Sequence, residues 1–141
     1  MTLHLTEDQK MKYSKLIPAL FIIFLSIMAQ ADDKLNQGEL KTLLVNSTVI
    51  GTIKWGFFKY HFNEYYSENN IIEGLDDDGN YTGSYQINED GCFNIKYNHE
   101  DTSANGCYYY QAKGDQYLLT LPTGDEILVT VKKGKHLNLG K

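Results

Sequence analysis

The sequence predicts an all-β domain: about eight antiparallel strands in a meander that forms a barrel or flattened barrel, with one short helix before it and one disulfide. Three observations carry this reading. From residue 48 onward, short runs alternate apolar and polar side chains with period two, the mark of strands with one buried face. The runs are broken every 8–12 residues or so by Gly, Asn and Asp, which accept tight turns. The two cysteines, Cys92 and Cys107, each follow a glycine and open such a run.

The chain has 141 residues, and its start reads as a removable leader. Met11-Lys12-Tyr13-Ser14-Lys15 is a short basic segment; the apolar run Leu16–Met28 and then Ala29-Gln30-Ala31 follow. That is the pattern of a secretory signal peptide over residues 1–31, with Met11 the expected true start because Glu7 and Asp8 suit no basic leader. The apolar run is shorter than the roughly 20 residues a bilayer-spanning helix needs, so no membrane span is expected after processing. Residues 32–141 are then one small domain in the periplasm or the external medium. In such a compartment two cysteines are most simply one disulfide.

Charge excludes one class of partner. The segment 1–31 holds three Lys against Glu7 and Asp8, so the formal charge of −5 becomes −6 for the remainder. All 13 basic residues are Lys. Without Arg forks or a basic patch, nucleic acid is not an expected partner.

The elements follow in order. Leu40, Leu43 and Leu44 recur at helical spacing within Asn36–Leu44, which is too short to stand alone and must dock on the sheet. Thr48–Lys54 is the first strand, with Gly51 expected at a bulge or bend. Trp55-Gly56 breaks it. Phe57–Tyr66 is the longest run; Phe58, Tyr60, Phe62, Glu64 and Tyr66 form its apolar face, expected inside, with Asn63 and His61 outside. Ile71–Leu75, Tyr81–Asn88, Cys92–Tyr97, Gly106–Ala112, Gln116–Leu121 and Glu126–Lys132 are the remaining strands. In Tyr108-Tyr109-Tyr110 at least one ring must face out. The tail from Lys133 is expected to be irregular.

The series Gly51-Thr52, Glu64-Tyr65-Tyr66, Tyr81-Thr82-Gly83-Ser84-Tyr85, Cys92-Phe93, Tyr97 and Gly106-Cys107-Tyr108 resembles small exported bacterial envelope proteins of unknown function. More distantly, a short helix before an eight-stranded meander is similar to lipocalin-type and other calycin-like barrels. The resemblance implies an envelope location and a β fold, and no activity.

Candidate chemistry is sparse. Asp76-Asp77-Asp78-Gly79-Asn80 reads as a solvated hairpin turn, because an EF-hand register would put Tyr85 at the bidentate acidic position. His61, His99 and His136 lack metal-ligand spacing, and no serine sits in a nucleophile elbow. No metal site and no cofactor are expected. Glu64 is the one conspicuous group, an acid on an aromatic face, which would be costly to bury unpaired. It is expected at a pocket mouth, open to water or to a polar partner, with Tyr60, Tyr66 and Tyr85 as the other candidate binding residues. The expected function is that of a monomeric, non-enzymatic binding protein. Its partner would be a small apolar or aromatic ligand, or an envelope or extracellular protein, an inhibited hydrolase being one version. A carbohydrate-active enzyme using Glu64, with Glu73 as second carboxylate, is the alternative.

Overall fold

A computed structural model describes residues 34–139; the leader, its Met11 start and its Ala31 cleavage point lie outside the described residues. Helix α1 (Gln37–Leu44) precedes strands β1 (Ser47–Trp55), β2 (Phe58–Tyr66), β3 (Ile71–Asp76), β4 (Gly79–Ile87), β5 (Phe93–Tyr97), β6 (Gly106–Lys113), β7 (Gln116–Thr120) and β8 (Glu126–Lys133). Each strand pairs antiparallel with its neighbour in sequence, and β1 pairs with β8, so the sheet closes into a barrel. No helix among the described residues is long and apolar enough to cross a membrane.

The helix begins at a capping box. The Asn36 side chain accepts from the Glu39 amide at 2.9 Å, and Glu39 Oε1 accepts from the Asn36 amide at 3.2 Å. These bonds satisfy donors that a helix start otherwise leaves open. At the other end Lys133 donates to the carbonyl of Leu43 at 3.2 Å and places a cation at the negative end of the helix dipole. Leu40 and Leu44 are fully buried and close the barrel at this end. The opposite end is formed by the β1–β2, β3–β4, β5–β6 and β7–β8 connections.

Strand alternation places Val49, Phe62, Tyr66, Ile72, Tyr85, Phe93, Ile95, Tyr108, Tyr110, Leu119 and Val129 in one core. Its rings pack edge to face, Tyr66 against Phe93 at 4.8 Å and Tyr85 at 5.5 Å, an arrangement aromatic quadrupoles favour. Tyr109 is the outward ring of its triplet, with Lys34 Nζ 4.3 Å above it. The disulfide joins Cys92 to Cys107 across β5–β6, where the register has three residue pairs, fewer than at any other seam.

Four expectations need correction. Gly51 makes no bulge: the β1–β2 ladder is unbroken from Ser47↔Tyr66 to Trp55↔Phe58. The glycine is there for space, since a Cβ would lie 2.5 Å from the Phe62 ring. Strand β1 also runs through Trp55 rather than stopping before it. Asn63 does face outward, yet it is buried, because the tail crosses it: its amide donates to the His136 carbonyl at 2.9 Å. Thr48 is buried under the same segment, donating to the Gly134 carbonyl at 2.7 Å and accepting from the His136 amide at 3.0 Å. The tail lacks regular structure, as expected, but it is strapped down by backbone groups that sequence patterning cannot see. Last, Phe58 lies on the inner face by register yet is 77% exposed, because the barrel does not extend that far.

Candidate functional site

Glu64 sits two residues before the end of β2, opposite Val49 on β1 and Gly74 on β3. Its side chain points into the barrel and is 4% exposed. Three tyrosine hydroxyls donate to it: Tyr81 at 2.7 Å and Tyr97 at 2.6 Å reach Oε1, and Tyr66 reaches Oε2. Both oxygens are therefore engaged by the chain's own phenols, which is how a carboxyl group becomes tolerable in a core. Gly74 makes the cage possible. A Cβ at that position would stand 2.1 Å from the Tyr81 ring, which lies across the glycine to reach Glu64.

Burial dominates the electrostatics of this cage. Removal from water raises the Glu64 pKa above its ordinary value; the hydroxyl donors of Tyr66, Tyr97 and Tyr81 oppose the shift without cancelling it, and the Asp76 charge adds to it. Tyr66, Tyr81 and Tyr97 are pushed upward as well, first by burial and then by the neighbouring Glu64 charge. Tyr108, also near this charge, is pushed up to about 12. The Tyr110 hydroxyl is buried with no hydrogen-bond partner among the described residues.

The expected binding residues divide between the two halves of the barrel. Tyr66 and Tyr85 belong to the helix half, away from the hairpin end: Tyr66 is buried, and Tyr85 donates to the Ser67 carbonyl and borders a surface cavity with Gln37, Asn70 and Gln86. Tyr60 lies near the hairpin end and donates to Asp76. Glu73 pairs across from Tyr65 on the outer face and forms an ion pair with Lys135. It does not share a face with Glu64, because alternation puts Gly74 there instead.

Past the cage the β1–β2 hairpin leaves the barrel. Pairing of β2 with β3 ends at Phe62↔Asp76, and pairing of β1 with β8 ends at Gly51↔Val129. The four pairs from Thr52↔His61 to Trp55↔Phe58 continue as a two-stranded arm, whose base still packs Ile53 against the core and shares a groove with Glu126, Ile127 and Leu128 of β8. At about 3.3 Å per residue the arm is roughly 13 Å long. Its root is held by the β3–β4 turn: Asp76 accepts from Tyr60, and Asp77 accepts from the His61 amide at 2.8 Å and contacts His61 Nδ1 at 3.2 Å. Asp76 also accepts from the amides of Asp78 and Gly79, so the acidic cluster folds the turn and anchors the arm. At the tip Gly56 takes a φ of 59°, and Trp55, Phe57 and Phe58 are 60%, 105% and 77% exposed. Alternation puts Trp55 and Phe58 on the face that continues the barrel interior, and Lys54 and Lys59 on the other.

No protein-family model, curated protein or solved structure matches the chain.

The arm is the feature that residue patterning missed, since Trp55-Gly56 reads as a simple break. A signal was available. Hairpin turns are normally polar, and a turn written Lys54-Trp55-Gly56-Phe57-Phe58-Lys59 has no buried face to explain its rings.

Proposed function

We propose that this is an exported, non-enzymatic binding protein that engages an envelope or extracellular macromolecular surface through its hairpin arm. The observation that carries the reading is the exposure of Trp55, Phe57 and Phe58 together at the end of a projecting ribbon. Three large rings in water favour association; among the described residues Trp55 packs against Tyr60, with ring centroids 6.0 Å apart, and Phe57 and Phe58 make no ring contact. The signal-peptide pattern at residues 11–31 and the Cys92–Cys107 disulfide support an exported location.

The interior supports a structural role. Rings of Tyr66, Tyr85, Phe93 and Tyr110 pack against one another, and Glu64 accepts from three hydroxyls. Three of its roughly four acceptor positions are thus taken by the chain's own phenols, and the group is buried. Glycoside chemistry would need a second carboxylate across a cleft, and Glu73 is outside.

Photo-crosslinking in the native host tests the reading. A photoreactive residue at position 57 should give an adduct with an envelope component, whereas the same residue at position 96 on the barrel wall should give none. Equal labelling from both positions, or none from position 57, would overturn it.

A further inference from the structure

We infer that the surface engaged by the arm is the interface of an anionic phospholipid bilayer, into which Trp55, Phe57 and Phe58 insert while Lys54 and Lys59 meet the phosphates. This rests on the arm being the working element and names what it works on.

The tip has the division of labour that a bilayer interface selects. Trp and Phe rings prefer the boundary between headgroups and acyl chains, and lysines prefer the phosphate level just outside it. Here the three rings are contiguous and exposed, and a lysine stands directly behind them on each strand. Lys54 and Lys59 face each other across the ladder. Like charges in that relation are destabilising. Among the described residues neither lysine forms an ion pair within the chain. An external anion resting between the two ammonium groups would remove their repulsion, and a phosphate headgroup is placed to do so when the rings are inserted.

The acidic remainder of the domain sets a limit on the contact. Asp76 and Asp77 bind Tyr60 and His61 at the arm's root. The tip leads His61 by three residues, about 10 Å. That is close to the screening length of about 8 Å at physiological ionic strength. The tip therefore leads the β3–β4 acidic turn toward an anionic surface by about one screening length, while Glu126 of β8 shares a groove with Lys54 and Lys59 and limits the approach on that side. A flat approach of the whole hairpin end would bring Asp78, Glu100 and Asp125 against the phosphates and is disfavoured. A protein cleft remains the competing occupant, and the test separates it.

Trp55 is the only tryptophan in the chain and lies in the element in question, so the unmodified protein reports its own insertion. The purified protein is titrated with phosphatidylcholine vesicles and with vesicles containing phosphatidylglycerol. Binding is read by Trp55 emission and by cosedimentation. With the anionic vesicles the emission is expected to move to shorter wavelength and the protein to sediment; phosphatidylcholine alone is expected to bind it more weakly. F57A/F58A, which removes no core contact, is expected to need about tenfold more lipid or greater, the equivalent of about 1.4 kcal/mol. K54E/K59E is expected to erase the preference for phosphatidylglycerol, and Asp78→Asn to strengthen binding. Unchanged emission with the anionic vesicles would overturn the inference. So would equal binding to both vesicle types that K54E/K59E leaves untouched. If vesicles fail while position 57 crosslinks to a protein, the lipid inference falls and the binding role of the arm stands. If both fail, both readings fall.

Discussion

Replacing Glu64 by Gln isolates the consequence of burying an acid among tyrosines. The amide keeps the shape and one acceptor oxygen for two hydroxyls, and its NH₂ can donate to the third once that hydroxyl rotates. What it loses is the capacity to ionise. Because burial holds the folded-state pKa of Glu64 above the ordinary value, the folded protein keeps a proton that the unfolded chain releases. The sign follows from linkage. Stability is greatest below the unfolded value of about 4.3 and falls as pH rises from there toward the folded value, since the native state binds more protons in that window. Inside that window the slope is at most about 1.4 kcal/mol per pH unit. Urea unfolding of wild type and E64Q at intervals from pH 4 to pH 8 measures this, and subtracting the two curves removes the other titrating groups. The wild type is expected to lose stability relative to E64Q as pH rises. A flat difference, or one of opposite sign, would mean that the three hydroxyl donors outweigh burial and that Glu64 is held as a carboxylate.

Other outcomes follow from the same structure. Replacing both cysteines by Ser opens a loop of 15 residues, worth about 3 kcal/mol by chain entropy; scanning calorimetry should show the melting temperature fall by roughly ten degrees or more. Gly74→Ala forces the Tyr81 ring away from Glu64 and should cost about 1–3 kcal/mol in urea unfolding, with Gly51→Ala similar through Phe62. Asn63→Ala uncouples the tail from the barrel wall and should make the segment after Lys133 the first site cut in limited proteolysis, with a loss of about 1–2 kcal/mol. Phe57→Ser should leave the unfolding midpoint within about 0.5 kcal/mol of wild type, because its side chain meets only solvent.

The barrel was legible because its information is local. Alternation along Tyr81–Ile87 and Phe93–Tyr97 names the inward residues, and Asp-Gly and Asn-Gly punctuation sets the turns. The disulfide was legible from a count, since the chain has two cysteines and one pairing. Glu64 was recognised as inward, but its partners were not, since Tyr66, Tyr81 and Tyr97 come from three strands and converge only in a closed barrel. Gly51 looks like a break along the chain and Gly74 like an ordinary strand residue, where the structure uses each as a slot for a ring from the next strand. The burial of Asn63 depends on a tail more than 70 residues away in sequence. The arm depends on where pairing stops, and strand periodicity carries no record of that.

A binding role for the arm requires that it be open to water in the isolated protein, and iodide quenching of Trp55 fluorescence measures this. With the ring 60% exposed at the end of a ribbon, quenching should approach that of a free indole in the same buffer. Trp55 shielded to the degree of a buried tryptophan would mean that the arm folds over the barrel mouth, leaving no exposed aromatic surface for a partner to meet.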